Sequence, residues 1–242
     1  MCELFGASSS GPRDFSPWLM PFRERGGGSG DNPDGWGLAT WDGKGLAIVK
    51  QPEPGCRSAE FARLAAMTRA RLLIGHVRRA MHPPVPGMLN THPFAHACCG
   101  REWAFAHNGM VPEVIAWQPA VALCHPDGET DSEHAFCRLL AAISNSYDSG
   151  EHAEWIAALA ELAGKIAAVG KFNFLLSDGR LLLAYGHDRL HRLERTDADG
   201  AMALIATEPL TGDAWQPFEA GELRVYRDGV LRARLRAGGK RG

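Results

Sequence analysis

The sequence lacks an excess of charge of either sign, and it lacks a long apolar run. Its 242 residues carry 26 basic and 28 acidic side chains, for a net charge of -2. This balance gives no global attraction to nucleic acid or to an anionic membrane surface. A membrane-spanning helix needs about 18 consecutive apolar residues. The most apolar helical segment, 155–169, is interrupted by Glu161 and Lys165. Neither nucleic acid nor a membrane is therefore an expected partner.

The sequence also lacks an export signal and a regular cysteine pattern. No basic segment followed by an apolar one comes after Met1, which predicts a cytoplasmic protein. The cysteines form no Cys-x-x-Cys pair, so reduced thiols are expected rather than disulfides. The six are Cys2, Cys56, Cys98, Cys99, Cys124 and Cys137.

Composition and length are those of an ordinary globular protein. Hydrophobic residues make up 45% of the chain and charged residues 22%, which excludes disordered and fibrous classes. At about 150 residues per domain, the length corresponds to one or two domains. The sequence contains no internal repeat and no linker. We therefore expect a single domain over 2–230, followed by a basic, frayed tail over 231–242.

Hydrophobic patterning predicts strands, then two long helices, then further strands, which is an α+β arrangement. The two long helices are expected over 131–147 and 151–169. Residues 80–100 are rich in proline, histidine and glycine, and an ordered loop is expected there. The strands are predicted near 2–7, 36–41, 45–50, 72–77, 103–107, 172–177, 180–186, 202–207 and 222–227, and further helices near 14–25 and 57–68.

Cys2 directly follows the initiator methionine. Its side chain is small, so removal of Met1 is expected, which would leave a thiol and a free α-amino group on one residue. The unperturbed pKa values of these groups, about 8.5 and about 7.7–8.0, are close enough for the amine to accept the thiol proton. One residue could then supply both nucleophile and base. A buried strand cysteine is the alternative interpretation.

Two motifs place polar groups where apolar strands end. Arg78 follows Gly75-His76-Val77 and could hold a carboxylate through two hydrogen bonds, although an ordinary ion pair is the simpler interpretation. His107-Asn108-Gly109 could form an oxyanion hole from the Asn108 amide and the Gly109 N–H. An Asn-Gly turn explains the same residues without any chemistry.

A third motif, Glu129-Thr130-Asp131-Ser132-Glu133, opens a predicted helix. Thr130 and Glu133 have the spacing of a capping box. Asp131 is not needed for the cap and could accept a substrate ammonium. Together, Arg78 and Asp131 could bind the two charged groups of a free α-amino acid.

These motifs resemble the ordered signatures of class II glutamine amidotransferases, which are N-terminal-nucleophile hydrolases. Further motifs resemble the stand-alone YafJ-like branch of that family, and the resemblance spans about residues 2–227. The motifs of the first group are Cys2, Gly75-His76-Val77-Arg78, Asn90-Thr91-His92-Pro93-Phe94, His107-Asn108-Gly109 and 129–133; those of the second are 26–30, Asp34-Gly35-Trp36-Gly37, 172–179 and 206–212.

The resemblance implies a four-layer αββα sandwich, with two antiparallel sheets packed between helical layers. It implies that Cys2 attacks the side-chain amide of glutamine and forms a γ-glutamyl thioester. Asn108 and Gly109 would hold the oxyanion, Arg78 the substrate carboxylate and Asp131 its ammonium. No cofactor is implied.

The remaining motif residues are expected to support this site. His92 is expected to have a structural role beside the pocket, and His76 and His107 to orient their binding neighbours. Trp36 belongs to the same supporting group. The glycines of 26–30 are expected to form a flexible wall over the Cys2 pocket.

The sequence departs from the family in two respects. Many relatives carry a hydroxyl residue shortly after the arginine, whereas Arg79-Ala80-Met81 offers none. We also expect no fused synthase domain, because the sequence ends at Gly242. Three variants therefore stay open: a glutaminase that supplies ammonia to a separate synthase, a hydrolase of γ-glutamyl peptides or thiols, and a general γ-glutamyl hydrolase. The substrate is a small molecule in each case, and a homo-oligomer is also compatible with the sequence.

Two other classes of protein compete with an amidase. A metal-dependent enzyme could use His92-x3-His96 with neighbouring histidines, but Pro93 argues against the helix that this spacing requires. No metal site is therefore predicted. A non-catalytic amino-acid-binding relative is the second alternative, and the joint presence of nucleophile, oxyanion pair and clamp argues against it.

Overall fold

Two antiparallel sheets form the centre of the fold. The computed structural model describes residues 1–41, 45–81, 86–118, 123–147 and 153–236. Sheet 1 has seven strands in the order β11-β9-β10-β1-β4-β2-β3. Its strands are β1 (Glu3–Asp14), β2 (Trp36–Trp41), β3 (Leu46–Gln51), β4 (Arg69–Val77), β9 (His191–Asp197), β10 (Gly200–Ala206) and β11 (Gln216–Pro217).

Sheet 2 faces sheet 1 and has six strands in the order β13-β12-β8-β7-β6-β5. In the middle of this sheet, β7 pairs with β8, the next strand in the chain, and with β6. The two long helices lie between β6 and β7 in the sequence. Its strands are β5 (Phe94–Cys98), β6 (Arg101–Met110), β7 (Lys171–Ser177), β8 (Leu182–Gly186), β12 (Glu222–Arg227) and β13 (Val230–Arg236).

Four α-helices cover the outer faces of the sheets. Helices α1 (Ser16–Glu24) and α2 (Ala59–Met67) pack against sheet 1, while α3 (Asp131–Ser144) and α4 (Ala153–Ala167) pack against sheet 2. No helix in the described parts of the chain is long and apolar enough to cross a membrane. Short 3-10 helices lie at Gly55–Arg57 and Pro112–Ala116.

Apolar side chains form three layers of core, which explains why two sheets and two pairs of helices stay together. On β1, Leu4 points into the layer between the sheets and Phe5 into the layer under α1 and α2. On β6, Ala104 and Ala106 face sheet 1, whereas Phe105 stacks on Phe136 of α3 with ring centroids 5.0 Å apart. This alternation with a period of two residues gives each strand two buried faces. The four-layer αββα sandwich predicted from the sequence is confirmed.

The structure corrects three expectations from the sequence. Cys124 and Cys137 are joined in a disulfide, so the prediction of reduced thiols is wrong for this pair. The interval 80–100 is not a loop throughout, because it contains β5. The predicted frayed tail begins too early, because 230–236 form β13; residues 237–242 lie outside the described parts of the chain.

Candidate functional site

The sequence-predicted residues meet at one small cavity between the ends of the two sheets. Cys2 directly precedes β1 and Arg78 directly follows β4, and these neighbouring strands are in register with Glu3 opposite Val77. Asn108 and Gly109 lie in β6 of sheet 2, and Asp131 is the first residue of α3. The cavity has a volume of about 30 Å³, enough for about one water molecule. Its lining residues are Cys2, Arg78, Arg79, Met81, His92, His107, Gly109, Met110, Thr130, Asp131 and Ser132.

The thiol of Cys2 lies against the backbone that follows β4. Its Sγ donates to the carbonyl oxygen of Arg79 at 3.4 Å, and the Arg79 N–H donates to Sγ at 3.2 Å. Burial raises the pKa of the Cys2 thiol above its usual range, although the Arg79 N–H, the terminal amino group and the Arg78 charge oppose that shift. With Met1 attached, this environment therefore favours the neutral thiol.

The Asn108 side chain is aimed at residue 2 from the opposite sheet. Its Nδ2 donates to the Cys2 carbonyl oxygen. Asn173 of β7, its register partner, fixes the orientation of this amide. The Nδ2 of Asn173 donates to Asn108 Oδ1 at 3.1 Å, so the Asn108 Nδ2 must point the other way, toward Cys2.

Gly109 occupies a position where a side chain does not fit. Its φ of 154° lies in a region that residues with a Cβ rarely adopt. A Cβ at this position would also overlap the carbonyl oxygen of Lys171 on β7. Close pairing of β6 with β7 therefore requires glycine next to Asn108.

His107 is held by hydrogen bonds at both ring nitrogens. Nε2 lies 3.1 Å from the carbonyl oxygen of Lys171, and Nδ1 lies 2.9 Å from Ser132 Oγ. A carbonyl oxygen only accepts, so Nε2 carries the proton and, in the neutral ring, Nδ1 accepts from the Ser132 hydroxyl. Burial lowers the pKa of His107 and so keeps the ring neutral, although the charge of Asp131 opposes this shift. His107 thus joins β6 to the start of α3.

His76 and His92 form a stacked pair beside the cavity. Their ring centroids are 4.2 Å apart, and His76 Nε2 donates to the carbonyl oxygen of His107 at 3.1 Å. Burial lowers the pKa of His76 to about 3 and lowers that of His92 well below its usual value. Both rings are therefore neutral, and neither is suited to supply a proton near neutral pH.

Arg78 is held in place by the loop that contains Asp34 and Gly35. The Arg78 N–H donates to the Gly35 carbonyl oxygen at 2.7 Å, and the Asp34 N–H donates to the Arg78 carbonyl oxygen at 3.0 Å. The Asp34 carboxylate also accepts from the Ala80 N–H at 2.8 Å. Burial lowers the pKa of the Arg78 guanidinium, with Cys2 and Asp34 opposing, but arginine stays protonated in proteins. The Asp-Gly-Trp-Gly motif therefore acts by positioning a buried cation.

The N-terminus of α3 positions Asp131. Thr130 is the N-cap, and its Oγ1 accepts from the Glu133 N–H at 3.2 Å. The Glu133 carboxylate does not complete the capping box but accepts from the Asp127 N–H at 3.1 Å and the Gly128 N–H at 2.8 Å. Asp131 is free of the cap, as predicted, and its Oδ2 accepts from the Val111 N–H.

Two predicted features lie away from the cavity. Trp36 is fully buried under α2, where it stacks on Phe61 at 4.4 Å, and it does not line the cavity. The glycines of 26–30 pack near Pro54 and Cys56, and none of them is among the described residues that line the cavity. The expectation of a glycine-rich wall over Cys2 is therefore wrong.

Sequence reasoning did not single out Asn173 or Ser132 as site residues, and it named Met81 only in the segment that lacks a hydroxyl residue after Arg78. Asn173 carries the clearest signal, because an uncharged amide stands alone in the apolar run Phe172–Leu176 of β7 and is fully buried. A buried amide needs hydrogen-bond partners, so its position predicts a polar neighbour. Only the pairing of β7 with β6 identifies that neighbour as Asn108.

Comparisons with known proteins show the family of the chain. A family model described as class II glutamine amidotransferases matches residues 1–198 and 192–240. The putative glutamine amidotransferase YafJ of Escherichia coli K12 is 34% identical over 252 residues, which cover 93% of this chain and 97% of the relative. A γ-glutamyl-hercynylcysteine sulfoxide hydrolase of Mycolicibacterium smegmatis is 27% identical over 201 residues, covering 81% and 79%.

A solved structure shares the fold over nearly the whole chain. The 2.0 Å crystal structure of a predicted glutamine amidotransferase from Pseudomonas aeruginosa superposes with a TM-score of 0.72 at 29% identity, covering 96% of this chain and 100% of that one. The family match and the relative from Escherichia coli each extend over most of the chain. The chain belongs to the class II glutamine amidotransferases.

Proposed function

We propose that the protein hydrolyses the γ-amide of glutamine with Cys2 as an N-terminal nucleophile. Removal of Met1 exposes the α-amino group of Cys2, which accepts the thiol proton directly or through a water molecule. The thiolate attacks the γ-carbonyl carbon of glutamine. The resulting oxyanion accepts hydrogen bonds from Asn108 Nδ2 and the Gly109 N–H.

Collapse of the tetrahedral intermediate completes the first half of the reaction. The C–N bond breaks, the protonated α-amine returns its proton to the leaving nitrogen, and ammonia departs. A water molecule then attacks the γ-glutamyl thioester, the α-amine again serves as base, and the C–S bond breaks to give glutamate and free Cys2. Each step uses the same amine and the same oxyanion hole.

Arg78 and Asp131 are proposed to select the amino-acid end of the substrate. Arg78 is a buried cation on the nucleophile's side of the cavity, and Asp131 is a buried carboxylate on the α3 side. A zwitterionic α-amino acid offers the complementary carboxylate and ammonium. Because the cavity is smaller than glutamine, we expect its walls to separate when substrate binds.

One observation carries this proposal: Cys2, Arg78, Gly109 and Asp131 line the same cavity, and Asn108 Nδ2 contacts residue 2. These residues are separated by up to 129 positions along the chain and come from both sheets and a helix. A structural cysteine at this position would not need a clamp for an amino acid.

Intact-mass analysis tests the nucleophile. The purified protein is expected to lack Met1 and to gain one adduct when treated with a glutamine-analogue electrophile. The adduct should be absent from Cys2→Ser and present in Cys56→Ser, a matched control outside the cavity. Active protein that retains Met1 would remove the proposed base and contradict the mechanism.

A hydrolase of γ-glutamyl peptides or thiols is the second candidate. Met81 lines the cavity near the place where many relatives carry a hydroxyl residue, and the residue is 58% exposed. An apolar, accessible residue at this edge favours a substrate with a larger group on the γ-nitrogen. The related hydrolase from Mycolicibacterium smegmatis carries a γ-glutamyl cysteine sulfoxide compound in its name.

Product analysis distinguishes these candidates. Ammonia release from glutamine is measured beside glutamate release from γ-glutamyl dipeptides, with kcat/KM as the criterion. A higher value for glutamine supports a glutaminase, and a higher value for the dipeptides supports the second candidate. Hydrolysis of neither, with retained amino-acid binding, would indicate a non-catalytic relative.

A further inference from the structure

Three side chains that can bind a metal ion converge between sheet 2 and α3. His96 lies on β5, Cys124 in the segment before α3 and Cys137 on α3 itself. One ligand atom from each residue lies within 4.8 Å of the other two. None of the three is among the residues that line the Cys2 cavity. This His96-Cys124-Cys137 cluster is therefore separate from the proposed catalytic groups.

The periodicities of β5 and α3 explain why these residues meet. Alternate residues of a strand share a face, so His96 points the same way as Cys98. Cys98 Sγ contacts the Leu140 carbonyl oxygen of α3 at 3.9 Å. On α3, Glu133 and Cys137 are four residues apart and share one helix face. His96 Nε2 accordingly lies 3.6 Å from Glu133 Oε1.

The chemistry of this cluster matches a zinc site. His96 Nε2 is buried and has no hydrogen-bond partner among the residues that the structure describes, and the two cysteines are only 5% and 2% exposed. A tetrahedral zinc ion with bonds of about 2.1 Å to N and O places such ligands roughly 3.4 Å apart. The 3.6 Å between His96 Nε2 and Glu133 Oε1 is close to that separation. Two thiolates and an imidazole supply three ligands, and the Glu133 carboxylate beside His96 is the candidate for the fourth.

We infer that the reduced chain binds one zinc ion through His96, Cys124 and Cys137, with Glu133 as the fourth ligand. The structure holds the two cysteines as a disulfide. A dithiol reductant converts this bond to two thiols by transferring two electrons and two protons, and is itself oxidised to a disulfide. Zinc then displaces the two thiol protons. The disulfide and the zinc complex exclude each other because both use the same sulfur atoms.

Both the disulfide and the zinc complex fix the start of α3 to the segment that precedes it. Cys124 and Cys137 connect the segment before the helix to the helix, and Glu133 holds the N–H groups of Asp127 and Gly128 in that same segment. Asp131 lies within this braced region, at the first position of α3. The site is thus a structural one whose occupant depends on thiol oxidation.

Cobalt titration of the reduced protein tests this inference. Co²⁺ replaces zinc in tetrahedral thiolate sites and reports each thiolate by charge-transfer absorption. We expect one equivalent of Co²⁺ to bind with such absorption and to be displaced by one equivalent of Zn²⁺. The absorption should be lost in Cys124→Ser and in Cys137→Ser, and should persist in Cys2→Ser and Cys56→Ser. The Cys2→Ser control excludes chelation by the N-terminal cysteine.

Two variants that retain both thiols distinguish a loss of metal binding from a loss of folding. In His96→Gln, metal affinity should fall while the thermal midpoint of the metal-free protein stays unchanged. In Glu133→Gln, charge-transfer absorption should remain while the visible d–d bands shift. The inference is overturned if folded, reduced protein takes up no Co²⁺, if its spectrum survives Cys124→Ser, or if uptake disappears in Cys2→Ser.

Discussion

Asn173 offers a sharp test of how the proposed oxyanion hole is oriented. Its Nδ2 donates to Asn108 Oδ1 at 3.1 Å and to Asp188 Oδ1 at 2.8 Å, while its Oδ1 accepts from the His187 N–H at 2.8 Å. In Asn173→Asp, the Oδ1 contact is retained, but an oxygen replaces the donor that faces Asn108. We expect the Asn108 amide to rotate so that its NH2 group faces the new carboxylate and no longer faces Cys2.

The expected cost follows from what that rotation removes. Loss of one oxyanion-hole donor typically lowers kcat by about 10²–10³, or about 3–4 kcal/mol in the barrier. KM for glutamine should change little, because Arg78 and Asp131 are untouched. The new carboxylate is itself buried and faces the partly exposed carboxylate of Asp188, so the free energy of unfolding should fall by roughly 2–3 kcal/mol. Asn173→Asp with Asp188→Asn should restore much of this stability without restoring kcat.

A double-mutant cycle isolates the positioning role. If Asn173 acts through Asn108, then Asn108→Ala combined with Asn173→Asp should lower kcat no further than Asn108→Ala alone. Steady-state glutamate release supplies kcat and KM, and thermal denaturation supplies stability. Multiplicative losses of kcat in the double variant would refute the reasoning, as would an unchanged kcat in Asn173→Asp.

Three further predictions follow from the site. Burial lowers the pKa of His76 from 6.5 to about 3, so the unfolded chain binds the extra proton. The contribution of His76 to the free energy of unfolding should therefore be full above pH 6.5 and fall by about 3 kcal/mol at pH 4, and the lowered pKa values of His92 and His107 add to this loss in the same direction. Urea midpoints that stay flat from pH 7 to 4 would contradict this. Asp131→Asn keeps an acceptor for the Val111 N–H but loses the charge, so kcat/KM for glutamine should fall about 10- to 100-fold with an unchanged thermal midpoint. An unchanged kcat/KM would remove Asp131 from the clamp. Gly109→Ala should lower the free energy of unfolding by about 1–3 kcal/mol or more, because the alanine Cβ would overlap the Lys171 carbonyl oxygen. A thermal midpoint equal to that of the unmodified protein would contradict this expectation.

Elements with a strong apolar pattern were predictable from the sequence. The predicted strand over 36–41 coincides with β2, and α3 begins at Asp131, directly after its Thr130 cap. In both cases the signal is local: a short apolar run, typical of a strand that is buried on both faces, and a hydroxyl that accepts from the helix backbone. The structure confirms both elements, and neither prediction required information about residues distant in the sequence.

Polar edge strands were not predictable in this way. β13 alternates arginines with Leu231, Ala233 and Leu235, and its high charge resembles that of a solvated tail. Its stability comes from pairing with β12 and from contacts such as the ion pair between Arg234 and Glu222. The missed strand β9 is not an edge strand, because it lies between β11 and β10, but it likewise depends on its pairing with β10. These partners are specified by the fold and not by the local sequence.

The disulfide and the amide anchor were missed for the same physical reason. Cys124 and Cys137 are separated by 13 positions, and nothing in this spacing indicates that Cys137 on α3 lies next to Cys124. Asn173 is 65 positions from Asn108, and only their antiparallel register brings the two amides together. Spacing along the chain predicts contacts within a helix or a turn, but contacts between elements require the topology.

The candidate site depends on how closely the two sheets approach each other. Cys2 belongs to the sheet 1 side, whereas Asn108 belongs to sheet 2, and two hydrogen bonds join the sheets here: Asn108 Nδ2 to the Cys2 carbonyl oxygen and His76 Nε2 to the His107 carbonyl oxygen. Small residues in the inner core, such as Ala106, permit this approach. A larger side chain at Ala106 should therefore move the oxyanion donors away from the nucleophile, and kcat should fall although no residue of the proposed chemistry has changed.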